Sequence, residues 1–310
     1  MTPRVVVAGE AVVDLVQAGP RSWASHPGGS PANVAVGLAR LGVPTALLGR
    51  LSGDAFGRRL RSRLEDAGVD LSLAVAAPEP STLAVASLDA AGVASYDFWV
   101  EGTADWQWTE DELQVPAGVA ALHTGSMALE LEPGATRLLD LLERLRSQEG
   151  DQRVLLSYDP NVRLARRGDR QTGLDAVEEV VGAADVVKVS SEDLAWLLPG
   201  VALERVLERW LALGPALVVV TDGGEGALAL AASGLLRLPA VPVEVVDTVG
   251  AGDAFTAGLL AGLDDAGLLS RAALDDADPA SLQSALALAG RVAAVTCSRA
   301  GASPPTRAEL

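Results

Sequence analysis

Short runs of β-branched residues alternate with longer segments rich in alanine and leucine along most of the chain. Strands that are apolar throughout are buried on both faces, so the alternation predicts an α/β fold with a largely parallel sheet covered by helices. Such sheets bind ligands at the carboxyl ends of their strands. The predicted strands are 4–8, 46–49, 154–158, 186–189, 216–221 and 228–231. The predicted helices are 28–42, 54–67, 133–148, 174–183, 191–198, 203–213, 252–266 and 278–296.

Residues 82–100 break this alternation. Two strand-like segments, 82–88 and 94–100, flank five residues and have no helical pattern between them. This spacing predicts a β-hairpin with a turn near Gly92.

Size and charge narrow the function classes. With 310 residues, 49% of them hydrophobic, the chain can bury the core of one domain, 1–310, with an insertion. The net charge of -17 argues against nucleic acid and anionic membranes as partners, because both are bound through clusters of Lys and Arg. The single cysteine, Cys297, excludes an intrachain disulfide and fits a reducing compartment. No apolar run approaches the ~20 residues that span a bilayer, so we expect a cytoplasmic protein.

Residues 247–258 join a turn of small residues to a helical pattern. In the turn Gly250, Ala251, Gly252, backbone N–H groups at the start of the helix can face a phosphate. Asp253 follows directly, and because a carboxylate repels phosphate, it suits the role of proton acceptor for a substrate hydroxyl. A helix cap is the structural alternative for Asp253. The segment indicates phosphoryl transfer to an alcohol.

A second segment, 27–42, places two glycines and an amide before an alanine-rich helix. Gly28 and Gly29 allow backbone to approach a ligand, and Asn33 can donate and accept hydrogen bonds to neighbouring sugar hydroxyls. The alternative is a glycine loop that caps a helix packed by its small residues, with Asn33 exposed.

Together these segments resemble the ribokinase, or PfkB, family of carbohydrate kinases. The Gly-Gly…Asn motif matches 28–42, and Asp-Thr-x-Gly-Ala-Gly-Asp matches 247–253. Further matches keep the family's order, and the fructokinase branch is the most similar. These matches are 9–14, 159–163 with Asp-Pro-Asn-Val-Arg, 221–227 and 298–302.

The resemblance implies a three-layer αβα fold, transfer of phosphate from ATP to a sugar hydroxyl, and a small β-sheet lid formed by about 10–17 and 82–100. Many relatives dimerise through that lid, so a homodimer is expected. The implied sugar contacts are Asp14, Gly28, Gly29 and Asn33. Arg163 is a candidate clamp for sugar hydroxyl or phosphate, with a surface ion pair as its alternative. The implied ATP contacts are Thr221, Gly223, Gly226, Lys188 and Ser190.

The metal assignment departs from the family pattern. Many relatives have Asn-x-x-Glu where this chain has Ser190-Ser191-Glu192-Asp193. Glu192 or Asp193 could therefore serve Mg2+ through water. The resemblance also implies a site for a monovalent cation beside the anion site, near Asp247 and Ser298, and whether it holds K+ or no ion stays open.

Several functions stay open at this point. Fructose or a related ketose is the expected acceptor, with 2-keto-3-deoxygluconate and ribose as alternatives. A catalytically idle sugar-binding protein on a kinase fold is an alternative of another class. A nicotinamide-dependent oxidoreductase would need an early glycine fingerprint, which residues 7–11 do not provide, and the sequence has no P-loop.

Overall fold

The structure is a computed structural model that describes residues 2–19, 21–88, 94–148, 150, 153–163 and 168–310. Its strands are β1 Val5–Ala8, β2 Val13–Gly19, β3 Ser22–Pro27, β4 Thr45–Leu48, β5 Arg50–Ser52, β6 Val75–Ala77, β7 Leu83–Leu88, β8 Ala94–Trp99, β9 Ala121–Gly125, β10 Leu155–Asp159, β11 Val186–Ser190, β12 Leu217–Thr221, β13 Ala227–Ala231 and β14 Gly234–Leu238. Its helices are α1 Ser30–Arg40, α2 Ala55–Asp66, α3 Gly134–Arg146, α4 Arg170–Ala183, α5 Ser191–Leu197, α6 Leu203–Leu211, α7 Ala251–Asp265, α8 Arg271–Asp275 and α9 Pro279–Cys297.

An eight-stranded sheet in the order β14-β13-β12-β11-β10-β9-β1-β4 forms the centre. The six strands from β12 to β4 are parallel, and β13 and β14 extend the sheet as an antiparallel hairpin. Side chains alternate between the faces, so Val5 and Val7 join the core under α1, α7 and α9, whereas Val6 joins the core under α3, α4 and α6. The predicted three-layer α/β fold is confirmed.

Strand β9 was not predicted, because His123 and Thr124 interrupt its apolar pattern. Both side chains are buried in the sheet, and His123 Nδ1 lies 3.0 Å from Ser157 Oγ on the neighbouring strand. The imidazole of His123 can thus occupy a central strand because Ser157 provides a partner. The strand β14 and the short pair β5 and β6 were also missed.

A separate four-stranded sheet has the order β3-β2-β7-β8. Strands β7 and β8 are antiparallel, as predicted for the hairpin, while the turn predicted near Gly92 lies outside the described residues. Strand β2 begins only at Val13, and β3, which the sequence did not indicate, pairs with it and leads the chain into α1. That this sheet acts as a lid stays a prediction.

Helix α9 has 19 residues and a mean hydropathy of 1.2, so by length and composition it could cross a membrane. The sequence analysis predicted that no apolar run approaches the length that spans a bilayer, and α9 is an exception to that prediction. Leu282, Leu286 and Val292 of α9 are buried in the core that also contains α7. Apolar core helices of soluble proteins pass the same test.

Helices α7 and α9 are in close contact because α7 has glycines one turn apart. A Cβ atom on Gly258 would lie 2.7 Å from Ala289 Cα, and one on Gly262 would lie 2.6 Å from Ala285 Cα. Both distances are shorter than van der Waals contact, so only glycine allows this approach. The contact fixes α7, whose first turn faces the carboxyl edge of the sheet.

We predict that Gly262→Ala lowers the free energy of unfolding by about 1–3 kcal/mol, because the added methyl group overpacks the contact with α9. Gly182→Ala near the end of α4 is the matched control, since its Cβ would lie 3.6 Å from Leu213 O. That control should be neutral or stabilising by up to ~1 kcal/mol, because alanine favours helix. Urea unfolding of both variants measures this, and equal effects would contradict the packing argument.

Candidate active site

The candidate site lies where parallel strands end at one edge of the sheet. Strand β10 ends at Asp159, β11 at Ser190 and β12 at Thr221. The first turns of α1 and α7 meet each other at this edge, because Ser30 and Asn33 of α1 both contact Asp253 of α7. The tertiary fold thus brings together the two glycine-containing segments, 28–42 and 247–258.

The first turn of α7 requires its glycines. Gly250 has φ 76°, and a Cβ atom there would lie 2.6 Å from Ala302 Cβ. Ala251 N–H donates to Thr248 O at 3.1 Å, whereas the N–H groups of Gly252 and Asp253 lie in the first turn, where a helix offers no internal acceptor. These two N–H groups suit an anion better than that of Ala251.

Asp253 is the third residue of α7, and Gly250 holds the cap position. The cap alternative for Asp253 is therefore wrong. Ser30 Oγ donates to Asp253 Oδ1 at 2.7 Å, and Asn33 Nδ2 donates to Asp253 Oδ2 at 2.8 Å. Burial raises the pKa of Asp253, while these two hydrogen bonds favour its ionised form. The carboxylate is held by donors and can accept a proton.

Asn33 is bonded on both sides of its amide. Its Nδ2 contacts Asp253, and its Oδ1 accepts from Arg63 Nη1 at 2.9 Å. The alternative of an exposed Asn33 is wrong, since the side chain is buried. Arg63 was missed by the sequence analysis, because an arginine within α2 belongs to no motif there.

Lys188 and Asp159 form a buried ion pair beside α7. Lys188 Nζ donates to Asp159 Oδ2 at 2.9 Å, and Thr256 Oγ1 lies 3.4 Å from the same oxygen. A Cβ atom on Gly252 would lie 2.9 Å from Lys188 Nζ, so glycine there leaves room for the ammonium group. The positive charge therefore adds to the anion-attracting end of α7.

Asp14 lies in β2 against the glycine pair. A Cβ atom on Gly28 would lie 2.3 Å from Asp14 Oδ2, and one on Gly29, with φ 95°, would lie 2.6 Å from Glu10 O. Burial raises the pKa of Asp14 to about 6, opposed first by His26 and then by the charges of Arg63 and Arg163. Asp14 thus shares one electrostatic environment with Asp253, whose negative charge raises its pKa further.

Arg163 is exposed, and its backbone N–H lies 3.4 Å from Glu130 Oε1. Its influence on the pKa of Asp14 places its charge near the predicted sugar contacts. The choice between a substrate clamp and a surface ion pair stays open.

The predicted nucleotide residues lie along β11 and β12. Thr221 ends β12, and the following turn contains Gly223 with φ 49° and Gly226 with φ 98°. A Cβ atom on Gly226 would lie 2.0 Å from Leu238 O, so this glycine is required by the packing of β14. The turn joins two antiparallel strands, and its role in nucleotide binding stays a prediction.

Ser190 and Asp193 form a local helix cap. Ser190 Oγ accepts from Asp193 N at 3.0 Å and donates to Asp193 Oδ2 at 2.8 Å, and Asp193 is buried. Glu192 is exposed at the start of α5. Part of the departure from Asn-x-x-Glu thus has a structural reason, the capping of α5.

The segments of the predicted monovalent-cation site lie side by side. The backbone N–H groups of Val246 and Asp247 both donate to Cys297 O, and Asp247 Oδ2 accepts from Gly301 N at 2.8 Å. The backbone N–H groups of Val249 and Gly301 both donate to the Asp247 carboxylate and lower its pKa. Ser298 Oγ instead donates to Val295 O at 2.8 Å.

Two fully buried carboxyl groups lie behind the site, and the sequence analysis gave neither a role. Glu10 Oε2 accepts from Ala128 N at 3.1 Å, and Asp105 Oδ1 accepts from Ala11 N at 2.8 Å. Burial raises the pKa of Glu10 to about 8 and that of Asp105 to about 6. Glu10 is therefore protonated at neutral pH.

Known proteins match this chain over nearly its whole length. The model of the pfkB family carbohydrate kinases matches residues 2–309. A fructokinase of Klebsiella pneumoniae is 36% identical over 291 residues, which cover 93% of this chain and 94% of that protein. The crystal structure of a fructokinase from Vibrio cholerae O395, with fructose, ADP and calcium ion bound, has a TM-score of 0.85 and 31% identity, covering 99% of this chain and 97% of that one.

A second solved structure shows a different acceptor on the same fold. The aminoimidazole riboside kinase from Salmonella enterica, complexed with aminoimidazole riboside and an ATP analogue, has a TM-score of 0.80 and 30% identity. It covers 96% of this chain, and this chain covers 94% of it. The predicted family and its fructokinase branch are confirmed, and the oxidoreductase alternative is wrong.

We predict that Glu10→Gln gains stability over the wild type as the pH rises. The folded Glu10 keeps its proton until about pH 8, whereas the ordinary pKa is 4.5, so wild-type stability falls between those values. The variant cannot ionise and should be more stable at pH 8 by on the order of 3 to 5 kcal/mol, relative to its difference at pH 4. Urea unfolding across this window, with Glu65→Gln as an exposed control, measures it. Parallel stability curves would contradict the buried protonated state.

Proposed function

The chain belongs to the pfkB family of carbohydrate kinases, and on that premise we propose that it phosphorylates fructose. It is an ATP-dependent sugar kinase, a phosphotransferase with an alcohol group as acceptor. The observation that carries the proposed mechanism is the buried Asp253 carboxylate, held by Ser30 and Asn33 at the amino end of α7. Base and anion-attracting backbone lie within one helical turn.

Fructose is favoured as acceptor because the fructokinases of Klebsiella pneumoniae and Vibrio cholerae match over nearly their full lengths. We assign the sugar hydroxyls to Asp14 and Asn33, with Gly28 and Gly29 providing backbone at close range. Two carboxylate oxygens of Asp14 can accept from neighbouring hydroxyls. Ribose and 2-keto-3-deoxygluconate remain as alternative acceptors for the same framework.

In the proposed reaction, Asp253 removes the proton of the acceptor hydroxyl while the hydroxyl oxygen attacks the γ-phosphorus of ATP. The bond between this phosphorus and the β,γ-bridging oxygen breaks, and ADP leaves. Negative charge on the transferred group is stabilised by the N–H groups of Gly252 and Asp253 and by Lys188. The electrostatic stabilisation needs no rearrangement, because Asp159 already holds Lys188 in place.

We assign the nucleotide to the edge formed by Thr221, Gly223, Gly226 and Ser190. Mg2+ would bring charge neutralisation to its phosphates. Such ions keep several waters and use only one or two carboxylates, so Glu192 and Asp193 fit that donor set, although Asp193 shares an oxygen with Ser190. Among the described residues, groups of three or more His, Cys, Asp or Glu suited to a metal are absent.

We also place K+ between the segments around Asp247 and 298–301, since their backbones are already hydrogen-bonded together.

The four-stranded sheet is proposed as a lid and as the contact of a homodimer. In support, Trp23 and Trp99 on its strands β3 and β8 are 47% and 62% exposed. Large exposed aromatic side chains are enriched at protein interfaces. We also propose a cytoplasmic location, which suits an enzyme that uses ATP and a soluble sugar.

We predict that Asp253→Asn lowers kcat for fructose by at least ~10^2-fold, because the amide cannot take the hydroxyl proton. Asp264→Asn, on the same helix but paired with Arg4, is the matched control and should keep wild-type kcat. ADP release is measured with fructose, ribose, 2-keto-3-deoxygluconate and adenosine. If another acceptor is turned over faster than fructose, that acceptor becomes the assigned substrate. Sugar binding without turnover of any of them would favour a non-catalytic protein.

We predict that Lys188→Met lowers kcat by about 10^2 to 10^3-fold through loss of a charge that stabilises the transition state. The change leaves Asp159 buried without its partner, so the double variant Lys188→Met/Asp159→Asn separates folding from chemistry. Both should show the same kinetic loss, and only the single variant should unfold at lower temperature. Steady-state kinetics with varied ATP and thermal unfolding measure this. Recovery of kcat in the double variant would assign Lys188 a structural role.

A further inference from the structure

Arg63 joins three separate segments at the back of the site. Its Nη1 donates to Asn33 Oδ1 at 2.9 Å and to Pro27 O at 3.2 Å, and its Nη2 donates to Ala302 O at 2.9 Å. Thus one guanidinium group touches the strand before α1, the first turn of α1 and the segment that packs on Gly250. A planar guanidinium makes such contacts in a fixed geometry.

These contacts decide which way the Asn33 amide points. Arg63 has only donors, and an ionised Asp253 has only acceptors. If the amide were turned over, its NH2 group would face Arg63 and its oxygen would face Asp253, and both hydrogen bonds would be lost. The orientation with Oδ1 toward Arg63 and Nδ2 toward Asp253 is the one that satisfies both partners.

We propose that Arg63 is a positioning residue for phosphoryl transfer, which orients the Asn33 amide so that it donates to Asp253. Arg63 acts through Asn33 and contacts neither reacting atom. The inference rests on the proposed role of Asp253 as base. When the amide turns freely, Asp253 loses a donor that favours its ionised form, so the base becomes harder to deprotonate.

The charge of Arg63 also favours the ionised form of the nearby carboxyl groups. The guanidinium group lowers the pKa of Asp14 and interacts with Asp253. Its removal should therefore raise the pKa of both carboxyl groups. The other charged groups that face these carboxyl groups, His26 and Arg163 at Asp14 and Asp159 and Lys188 at Asp253, are the same in the variant and the wild type. The acidic limb of the pH profile of kcat/KM should therefore move to higher pH, which a loss of packing alone would not cause.

Arg63 can be reached from outside the site. It lies in the wall of a cavity of about 380 Å³, which is also lined by Pro27, Arg59 and Ser303. A free guanidinium ion could therefore enter the space that Arg63→Ala would leave. This access makes chemical rescue a direct test of the positioning role.

In the kinetic test, Arg63→Ala should lower kcat by about 10 to 100-fold, because a misplaced contact at the reacting group weakens catalysis. Low millimolar guanidinium chloride should restore part of the loss, while equal sodium chloride should not. Arg58→Ala on the same helix, where Arg58 is exposed and contacts Gly53 O, should match the wild type. In an Asn33→Ala background, Arg63→Ala should change kcat by no more than about twofold at a pH above the acidic limb, because the amide that Arg63 orients is gone and both carboxyl groups are ionised there.

A second readout needs no turnover. Asn33 and Asn161 are the only asparagines in the sequence, so selective labelling with 15N-asparagine yields two side-chain nitrogen resonances, each correlated with a pair of NH2 protons. Arg63→Ala should shift and broaden the signal of Asn33 and leave that of Asn161 unchanged, since Asn161 lies 3.3 Å from Ser126 Oγ. Arg58→Ala should change neither signal.

An unchanged Asn33 signal in Arg63→Ala would overturn the inference, whether or not the protein phosphorylates a sugar. A kinetic loss that persists in full in the Asn33→Ala background would also overturn it. In contrast, a wild type that turns over no sugar while the Asn33 signal responds to Arg63→Ala would contradict the proposed function and keep the orientation.

Discussion

The site depends on one buried carboxylate that must stay ionised in order to accept a proton. Asp253 is desolvated by the meeting of α1 and α7, and burial alone would neutralise it. Donors from Ser30 and Asn33 compensate, and both come from the first turn of α1. The two helices must therefore hold their amino ends within hydrogen-bond distance of each other.

Packing of the helical layer supplies that constraint. Gly258 and Gly262 bring α7 against α9, while Gly37 of α1 allows close contact with Ala257, since a Cβ atom on Gly37 would lie 2.6 Å from Ala257 Cβ. Small residues in these helices thus serve to fix α7 relative to α1. The rigid frame leaves the hydrogen-bonding groups at the helix ends little freedom, which favours a preorganised site.

Much of the fold was accessible from the sequence because burial on both faces leaves a clear apolar pattern in parallel strands. The strand β11 was predicted on this basis. The helix α7 was predicted from the helical pattern that follows the glycine-containing turn 250–252. Strand β9 was not, because His123 is buried there through a contact with Ser157 that no local pattern reveals. Within the site, Asp253 and Asn33 were predicted individually, but their mutual hydrogen bond was not.

The sequence by itself determined the layered architecture, the family resemblance and the residues able to carry the chemistry. Those properties follow from local spacing and residue type, which the sequence shows directly. Only the tertiary structure decided that Lys188 faces the end of α7, that Arg63 holds the Asn33 amide, and that Glu10 lies protonated in the core. Each of these depends on groups far apart in sequence, and their distances and desolvation exist only after the layers have packed.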